Sequence, residues 1–222
     1  MKILTYEDLK VTLLRATDEP AQIVKRAVDI TMRLDRSNES ASRSLCRFLL
    51  DAEHTSLFEH VAYTFLIENV SRSFLAQITR QRMSSFTSAS QHYQDYRDYP
   101  CVVSKDMRGE QLTYDILDGT YDAYEDLMGD CMDPLMPKEE ARQVLPNAAA
   151  VNIMWTINAR SLALFLRHRL CNRNVAEMKN FAETVLSLVS GHFPELFLWV
   201  GPQCSDGSCK QGHLRCKEGK WR

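Results

Sequence analysis

The sequence lacks an apolar run long enough to cross a membrane, since nowhere do about 18 apolar residues follow one another. The opening segment, Met1 to Asp8, also lacks the apolar stretch of a secretory signal peptide. The formal net charge is only −2, so there is no strong basic field that attracts nucleic acid. We therefore expect a cytoplasmic protein whose partners include neither a membrane nor nucleic acid.

Internal repeats, low-complexity tracts and an obvious interdomain linker are also missing. A chain of 222 residues fits one sizeable domain with its own hydrophobic core. The composition changes after Pro202, because three cysteines and a histidine fall between Cys204 and Cys216. We predict one α+β domain over residues 1–200 and a Cys-rich tail over residues 201–222.

The spacing of apolar residues indicates where the helices and strands lie. Positions that share one helix face predict helices, and short runs rich in Tyr, Phe and Val predict strands. Ser71 is placed to cap a helix that leads to Arg80, and Asn174 with Glu177 forms a pair typical of a capping box. The predicted helices are 19–34, 41–51, an acidic and solvated one at 110–129, and Arg160 to Leu170; the predicted strands are Val61 to Ile67 and Val151 to Ile157.

Arginines and hydroxyl side chains crowd into the segment from Arg80 to Ser90. Each guanidinium can hold a phosphate with two hydrogen bonds, and the hydroxyls add further donors and acceptors. Arginines two positions apart point to different sides of a helix, so Arg80 and Arg82 can share a ligand only where the helix ends or the backbone is extended. The segment is either an anion site or a polar loop with solvated arginines.

A charged residue also occupies an apolar stripe, on the helix that starts at Arg160. Leu162, Phe165 and Leu166 form the stripe, and Arg169 is its next member. A guanidinium on an inward face requires an acceptor there. The acceptor is either a glutamate of the same chain or a carbonyl or anion of a ligand.

The segment around His54, Glu59 and His60 carries further ionisable side chains. Its His-x5-His spacing differs from the i, i+4 pair with which two helical histidines share a metal ion. A metal site is therefore disfavoured here. Two interpretations stay open: His60 caps a turn before the strand at Val61, or the segment contributes to a ligand site.

The seven cysteines are typical of reduced thiols or metal ligands in a cytoplasmic protein, rather than of a disulfide framework. No Cys-x-x-Cys motif is present, which disfavours both a redox pair and a zinc knuckle. Two interpretations of the tail remain, reduced thiols or a structural zinc site without a catalytic role. The possible zinc ligands are Cys204, Cys209 and Cys216, with Cys171 or His213 as the fourth.

Four segments, in order along the chain, resemble the motifs of flavin-dependent thymidylate synthases. Arg80-Gln81-Arg82, followed by seven residues and Ser90, resembles the family's Arg-His-Arg signature and its later serine. The other matching segments are His54 to His60, Arg142 to Pro146, and Trp155 to Leu162 followed by Arg169. Together they extend over most of the chain, so the resemblance is specific.

The resemblance implies an enzyme that makes dTMP from dUMP by reductive methylation. Methylenetetrahydrofolate would give its methylene to uracil C5, a hydride from reduced FAD would complete the methyl group, and NADPH would reduce the flavin again. The implied fold is a mixed helical domain around a small antiparallel sheet, with residues 1–200 as the catalytic domain. The implied assembly is a homotetramer whose active sites are shared between subunits.

The resemblance also implies roles for individual residues. Arg169 would be catalytic, since the matching arginine of the family contacts the uracil ring and favours ionisation at N3. His54 would lie near the reacting centre. FAD would contact Ser56 across a subunit interface, and also Arg80, Gln81, Arg82, Ser88, Asn158, Ala159, Arg160 and Leu164. The nucleotide would contact Gln77, Ile78, Thr79, Arg80, Ser88, Ala89, Ser90, Gln91, His92, Arg142 and Arg169.

Four residues depart from the family's pattern. Gln81 replaces a histidine and His92 an arginine, while Ser88 stands where glutamate is common and Leu164 where a polar residue is common. A related flavin-dependent pyrimidine nucleotide methylase or hydroxymethylase is therefore an alternative function. A helical nucleic-acid-binding module with a zinc tail is a second alternative, which the near-neutral net charge disfavours.

Overall fold

The computed structural model describes residues 2–34, 40–129, 135–205, 207, 209 and 211–216. The chain divides into two compact units. The first comprises Met1–Lys10, Leu66–Arg80 and Phe86–Met154, and the second comprises Val11–Phe65, Gln81–Ser85 and Trp155–Arg222. The predicted boundary between a 1–200 domain and a 201–222 tail stays a prediction. No helix in the described ranges is both long and apolar enough to span a membrane.

Helices and strands alternate irregularly along the chain, as expected for an α+β fold. Among the described residues, 3-10 helix occurs over two turns at Thr55–His60 and over one turn each at Arg142–Val144 and Gly212–Leu214. The strands are β1 (Ile3–Thr5), β2 (Lys10–Ala16), β3 (Ala62–Ser71), β4 (Ser84–Ser88), β5 (Cys101–Val103) and β6 (Ala150–Asn158). The helices are α1 (Pro20–Met32), α2 (Arg43–Asp51), α3 (Arg72–Ile78), α4 (Gln111–Met128), α5 (Lys138–Ala141), α6 (Ala159–Arg169), α7 (Ala176–His192) and α8 (Pro194–Phe197).

The larger sheet has the strand order β2-β3-β6-β4. Thr64 Oγ1 of β3 lies 3.0 Å from Thr156 Oγ1 of β6. Further along the chain from β3, the amide of Arg72 donates to the carbonyl of Ala149, which precedes β6, at 3.0 Å. Because the partner number falls as the chain advances, the two strands are antiparallel. The predicted α+β fold with a small antiparallel sheet is confirmed.

A second, two-stranded sheet lies in the first unit, where β1 and β5 pair in parallel with Ile3 opposite Cys101. Buried residues of α4 pack against this sheet, among them Leu117 and Tyr121. The helix predicted at 110–129 is therefore confirmed, but its interpretation as solvated is incomplete. One face of α4 is buried, because its aromatic and aliphatic residues recur at helical spacing.

The core of the second unit is built around Trp155 of β6, which is fully buried. Its ring centroid lies 5.7 Å from that of Phe65, 5.1 Å from that of Phe165 and 5.7 Å from that of Phe181. These partners come from β3, α6 and α7. Aromatic packing of this kind combines a large buried area with preferred ring geometries. This packing determines which face of α6 is buried.

A helix begins within the segment Asn174 to Glu177, at Ala176, but the predicted capping role of Asn174 is wrong. Asn174 does not cap α7, whose first flanking residue is Val175. Its side-chain amide instead donates to the carbonyl of His168 at 2.8 Å and to that of Arg169 at 3.1 Å. The last carbonyls of a helix have no partner within the helix, so an amide beside them is recruited there.

Candidate functional site

The candidate anion segment begins where α3 ends. Ser71 caps α3 as predicted, since its Oγ accepts a hydrogen bond from the Phe74 amide at 2.9 Å. The helix ends at Ile78, and Arg80 and Arg82 follow outside it. Both arginines are exposed, and in the described part of the chain neither guanidinium has a hydrogen bond or ion pair with protein. Their charges are therefore available to an anion.

The hydroxyl-rich part of this segment is held by main-chain contacts. The amide of Ala89 donates to the carbonyl of Asn152 in β6 at 3.0 Å. Arg72 Nη1 donates to the carbonyl of Ala89 at 3.4 Å. Ser90 Oγ accepts from the amide of His92 at 3.2 Å, while the His92 imidazole is exposed. Ser88, the last residue of β4, and His92, on the loop that follows, are thus both exposed beside a backbone that these contacts fix.

Three of the predicted FAD contacts, Asn158, Ala159 and Arg160, lie at the start of α6. Asn158 caps the helix, because its Oδ1 accepts from the amide of Ser161 at 2.8 Å. Arg160 in the first turn of α6 forms an ion pair with Glu59 of the 3-10 helix Thr55–His60. The two side chains are 48% and 42% exposed, so the pair contributes little to stability and serves mainly to orient the guanidinium.

A cleft of about 450 Å³ opens beside the first turns of α6. Its wall combines an apolar surface with cationic and acidic side chains, and Arg47 forms an ion pair with Asp51 at 2.8 Å. The guanidinium carbon of Arg47 lies 5.4 Å from the centroid of the Trp199 ring. Leu164 is 54% exposed, although the family commonly has a polar residue at this position. The residues that line the cleft are Arg47, Leu50, Asp51, Glu53, Thr55, Phe58, Arg160, Ala163, Leu164, Arg167, Trp199 and Val200.

Arg169 at the end of α6 lies on the apolar stripe, as predicted. Its guanidinium carbon lies 5.8 Å from the centroid of the Phe165 ring, and Nη1 donates to Asn174 Oδ1 at 3.4 Å. Among the described residues it has no carboxylate partner. No glutamate in the described ranges therefore acts as the acceptor that the sequence required, and the half-buried guanidinium is open to a ligand.

Next to Arg169, the pKa of His168 is lowered by burial and, to a lesser degree, by the charges of Arg169 and Arg167. The lower pKa favours the neutral imidazole. Its Nδ1 lies 3.0 Å from Gln203 Nε2, so a neutral ring that accepts this hydrogen bond keeps its proton on Nε2. The local positive charge at this end of α6 thus comes from the arginines.

The remaining predicted residues vary in what they offer a ligand. Ile78 and Ala159 are fully buried, main chain included, so a ligand can contact them only if their surroundings shift. Arg142 is exposed and its Nε donates to the carbonyl of Glu139 at 3.0 Å. Ser56 and His54 are exposed. Within the described ranges no three His, Cys, Asp or Glu side chains group closely enough to hold a metal ion, so the metal interpretation of His54, Glu59 and His60 gains no support.

Comparison with known proteins identifies the family. The profile of the Thy1 family, "Thymidylate synthase complementing protein", matches residues 12–195. A flavin-dependent thymidylate synthase of Clostridium tetani is 32% identical, over 94% of this chain and 93% of its own length. The enzyme of the same name from Geobacter sulfurreducens is 33% identical, over 94% of each chain. The chain belongs to the flavin-dependent thymidylate synthase family.

Solved structures show that the family fold is retained. The UMP/dUMP methylase PolB from Streptomyces cacaoi, bound with 5-Br dUMP, superposes with a TM-score of 0.74 at 22% identity, over 89% of this chain and 96% of its own. The flavin-dependent thymidylate synthase ThyX from Helicobacter pylori, complexed with FAD and dUMP, gives a TM-score of 0.70 at 19% identity, over 86% and 99%. At this identity the agreement concerns the fold alone.

Sequence reasoning missed two features of this flavin-dependent thymidylate synthase. The ion pair between Arg160 and Glu59 joins residues 101 positions apart, and the matching motifs gave no reason to pair them. Arg47 and Trp199 also lie outside the matching motifs, yet both line the cleft beside α6. Neither feature has a local signal, because each depends on how distant elements pack.

Proposed function

We propose that this flavin-dependent thymidylate synthase converts dUMP to dTMP by reductive methylation, with methylenetetrahydrofolate as carbon donor, FAD as cofactor and NADPH as reductant. The observation that carries the proposal is the match to the family along nearly the whole chain. The Helicobacter pylori relative is described as complexed with FAD and dUMP. The same two ligands are proposed here.

The residues present fit ligands that carry phosphate groups. FAD and dUMP are both anionic, and the exposed guanidinium groups of Arg80 and Arg82 have no protein partner among the described residues. Arginine binds phosphate with two parallel hydrogen bonds, which fixes the position of the anion as well as attracting it. The C-terminal end of α3, just before Arg80, is the negative end of the helix dipole and does not attract an anion. The arginine side chains must therefore supply the attraction for the phosphate.

For FAD, we propose contacts that cluster at the first turn of α6 and at the arginine segment. The Asn158 cap and the Glu59 ion pair hold Arg160 in place before the ligand arrives, which reduces the entropy lost on binding. The chemistry that bound FAD supplies is the hydride that turns the transferred methylene into a methyl group. The proposed FAD residues are Ser56, Arg80, Gln81, Arg82, Ser88, Asn158, Ala159, Arg160 and Leu164.

For dUMP, we propose that Arg169 contacts the uracil ring and stabilises the ring when N3 loses its proton. Its guanidinium is half-buried against Phe165, where a charge interaction is stronger than in water. A neutral residue at this position cannot stabilise the N3 anion. The proposed nucleotide residues are Gln77, Ile78, Thr79, Arg80, Ser88, Ala89, Ser90, Gln91, His92, Arg142 and Arg169.

The proposal extends to assembly and location. We expect a homotetramer with active sites shared between subunits, in line with the family resemblance. We also expect a cytoplasmic location, which the six free cysteines of the described chain support, since reduced thiols are typical of a reducing compartment. Sedimentation analysis of the purified protein tests the assembly.

Ligand binding tests the proposed function. The purified protein should be yellow, retain FAD through gel filtration, and bind dUMP in equilibrium dialysis. Arg82→Ala should chiefly weaken FAD retention, and Arg142→Ala should chiefly weaken dUMP binding, because their charges are assigned to different ligands. A protein that neither retains FAD nor binds dUMP would refute the proposal. Loss of both ligands in both variants, with unchanged circular dichroism, would refute the residue assignment.

A further inference from the structure

Asn174 lies in the turn that follows α6, and it is not among the proposed contacts with FAD or dUMP. Its main-chain amide donates to the carbonyl of Cys171 at 2.9 Å. Its side-chain Nδ2 donates to the carbonyl of His168 at 2.8 Å, to that of Arg169 at 3.1 Å and to that of Cys171 at 3.3 Å. The last carbonyls of a helix have no partner within the helix, so these contacts join the end of α6 to the turn. They hold the side chain of Asn174 in one orientation.

The same contacts determine which way the amide group of Asn174 faces. Three carbonyl oxygens surround Nδ2, and a carbonyl oxygen accepts a hydrogen bond but cannot donate one. The nitrogen must therefore face the helix end, and the oxygen must face away from it. Oδ1 accepts a hydrogen bond from Arg169 Nη1 at 3.4 Å. The residue that joins the end of α6 to the turn thus also offers an acceptor to the guanidinium.

The guanidinium of Arg169 is supported by two neutral groups. One is Asn174 Oδ1, and the other is the ring of Phe165, whose centroid lies 5.8 Å from the guanidinium carbon. Within the part of the chain that the structure describes, no carboxylate pairs with Arg169. A carboxylate would hold the guanidinium but would also compensate its charge, whereas an amide oxygen orients the group and leaves its charge to a ligand. This arrangement suits a cation that must stabilise an anion in the substrate.

We propose that Asn174 is a positioning residue, which directs the Arg169 guanidinium toward the uracil ring of dUMP without compensating its charge. The inference rests on the proposed function, because Asn174 acts only through the role proposed for Arg169. The hydrogen bond at 3.4 Å is long, but the acceptor is fixed by its contacts with the helix end. A guanidinium that is oriented before the nucleotide arrives loses less freedom on binding.

Asn174→Ala removes the acceptor and leaves the charge of Arg169 unchanged. We expect kcat with dUMP to fall about tenfold, the effect of losing one hydrogen bond to a charged group. KM for dUMP should change less, because the N3 anion that Arg169 stabilises forms during the reaction. The matched control is Thr184→Ala in α7, which removes another side-chain hydrogen bond to a helix carbonyl, that of Asn180 at 2.9 Å. It should keep wild-type kcat.

A double-mutant cycle separates positioning from a purely structural role. Single-turnover rates are measured for the wild type, Asn174→Ala, Arg169→Lys and the combination of the two changes. If Asn174 acts through Arg169, its replacement has little further effect once position 169 is lysine, because lysine has no Nη1 for Oδ1 to direct. If Asn174 only stabilises the end of α6, its replacement has the same effect in both backgrounds. Additive effects would therefore overturn the proposal.

The fraction of bound dUMP that is ionised at N3 gives a second measurement, which requires no turnover. NMR of dUMP labelled at N3 measures this fraction at one fixed alkaline pH, with FAD saturating. Asn174→Asp, which is nearly isosteric, keeps an acceptor but adds a negative charge beside Arg169. The ionised fraction should then fall below the wild-type value, and this variant tests the proposal if Asn174→Ala does not fold. An unchanged fraction would overturn it.

Failure of the proposed function has a different signature. A wild-type protein that does not bind dUMP, or an Arg169→Lys variant with wild-type kcat, would refute the role of Arg169 and this inference with it. Wild-type kcat in Asn174→Ala, together with the expected loss in Arg169→Lys, would overturn the role of Asn174 and leave the proposed function intact.

Discussion

The cap of α6 offers a test that separates the stability of the helix from its role in binding FAD. Asn158 Oδ1 accepts from the amide of Ser161 at 2.8 Å, and Ala159 and Arg160 follow it directly. Asn158→Ala removes the acceptor and leaves this amide without its partner. Loss of such a cap costs about 1 kcal/mol of unfolding free energy. For a chain of this size, that loss lowers the melting temperature by about 2–4 °C.

A matched control lies at another helix of the same unit. Ser42 caps α2, where its Oγ accepts from the amide of Leu45 at 3.1 Å, and Ser42 is not a proposed FAD residue. Ser42→Ala should cost a similar amount of stability and leave FAD affinity unchanged. Asn158→Ala should cost stability and also weaken FAD binding, because the first turn that carries Arg160 frays.

Differential scanning calorimetry of the apoprotein and fluorescence titration with FAD give the two quantities. Asn158→Ser, which keeps a cap acceptor, should restore most of the stability. Equal loss of FAD affinity in Ser42→Ala and Asn158→Ala would refute the local role of this cap. Unchanged stability in Asn158→Ala would refute the cap itself.

Three further predictions concern the proposed nucleotide site and the first unit. Arg169→Lys should keep the fold and the FAD but lose most of its turnover, because one ammonium group cannot replace a planar guanidinium; steady-state kinetics with near-wild-type turnover would contradict this. His92→Arg should tighten dUMP binding, because a guanidinium with its fixed charge can hold a phosphate with two parallel hydrogen bonds; equal affinities of the two proteins in equilibrium dialysis would exclude a phosphate contact. Hydrogen bonds from the Arg97 side chain lower the pKa of Asp95, so its contribution to stability is present above the ordinary Asp pKa of about 3.9 and is lost as the pH falls through the lower folded value. Asp95→Asn should therefore be less stable near pH 7 and show a weaker loss of stability in acid, and identical pH profiles in denaturant titrations would contradict that reasoning.

Features with a strong local pattern could be predicted from the sequence. The apolar stripe of α6 predicted both the helix and the inward position of Arg169, because helical periodicity and burial are coupled. Ser71 was correctly identified as a cap. The signature segments led to the family, and the relatives confirm it.

Other features depend on contacts between distant residues and have no local signal. β4 has the sequence Ser-Ser-Phe-Thr-Ser, and its pairing beside β6 depends on the sheet rather than on its own composition. β1 and β5 are only three residues long, and the paired residues Ile3 and Cys101 lie 98 positions apart in the sequence. Asn174 has the pattern of a helix cap, but its Oδ1 accepts from Arg169 Nη1 and its side-chain amide donates to the carbonyls of His168 and Arg169. The contact between the Gln203 amide and the Arg167 carbonyl, at 3.2 Å, likewise needs the chain to return to α6.

The fate of the folate tests the central claim most directly. Purified protein is incubated with dUMP, methylenetetrahydrofolate, FAD and NADPH, and both products are identified by mass spectrometry. If the hydride comes from the flavin, the folate ring is not oxidised when it gives up its methylene. The account predicts dTMP together with tetrahydrofolate, and no dTMP when FAD is omitted from the apoprotein. Formation of dihydrofolate in step with dTMP, turnover without FAD, or no dTMP at all would contradict it.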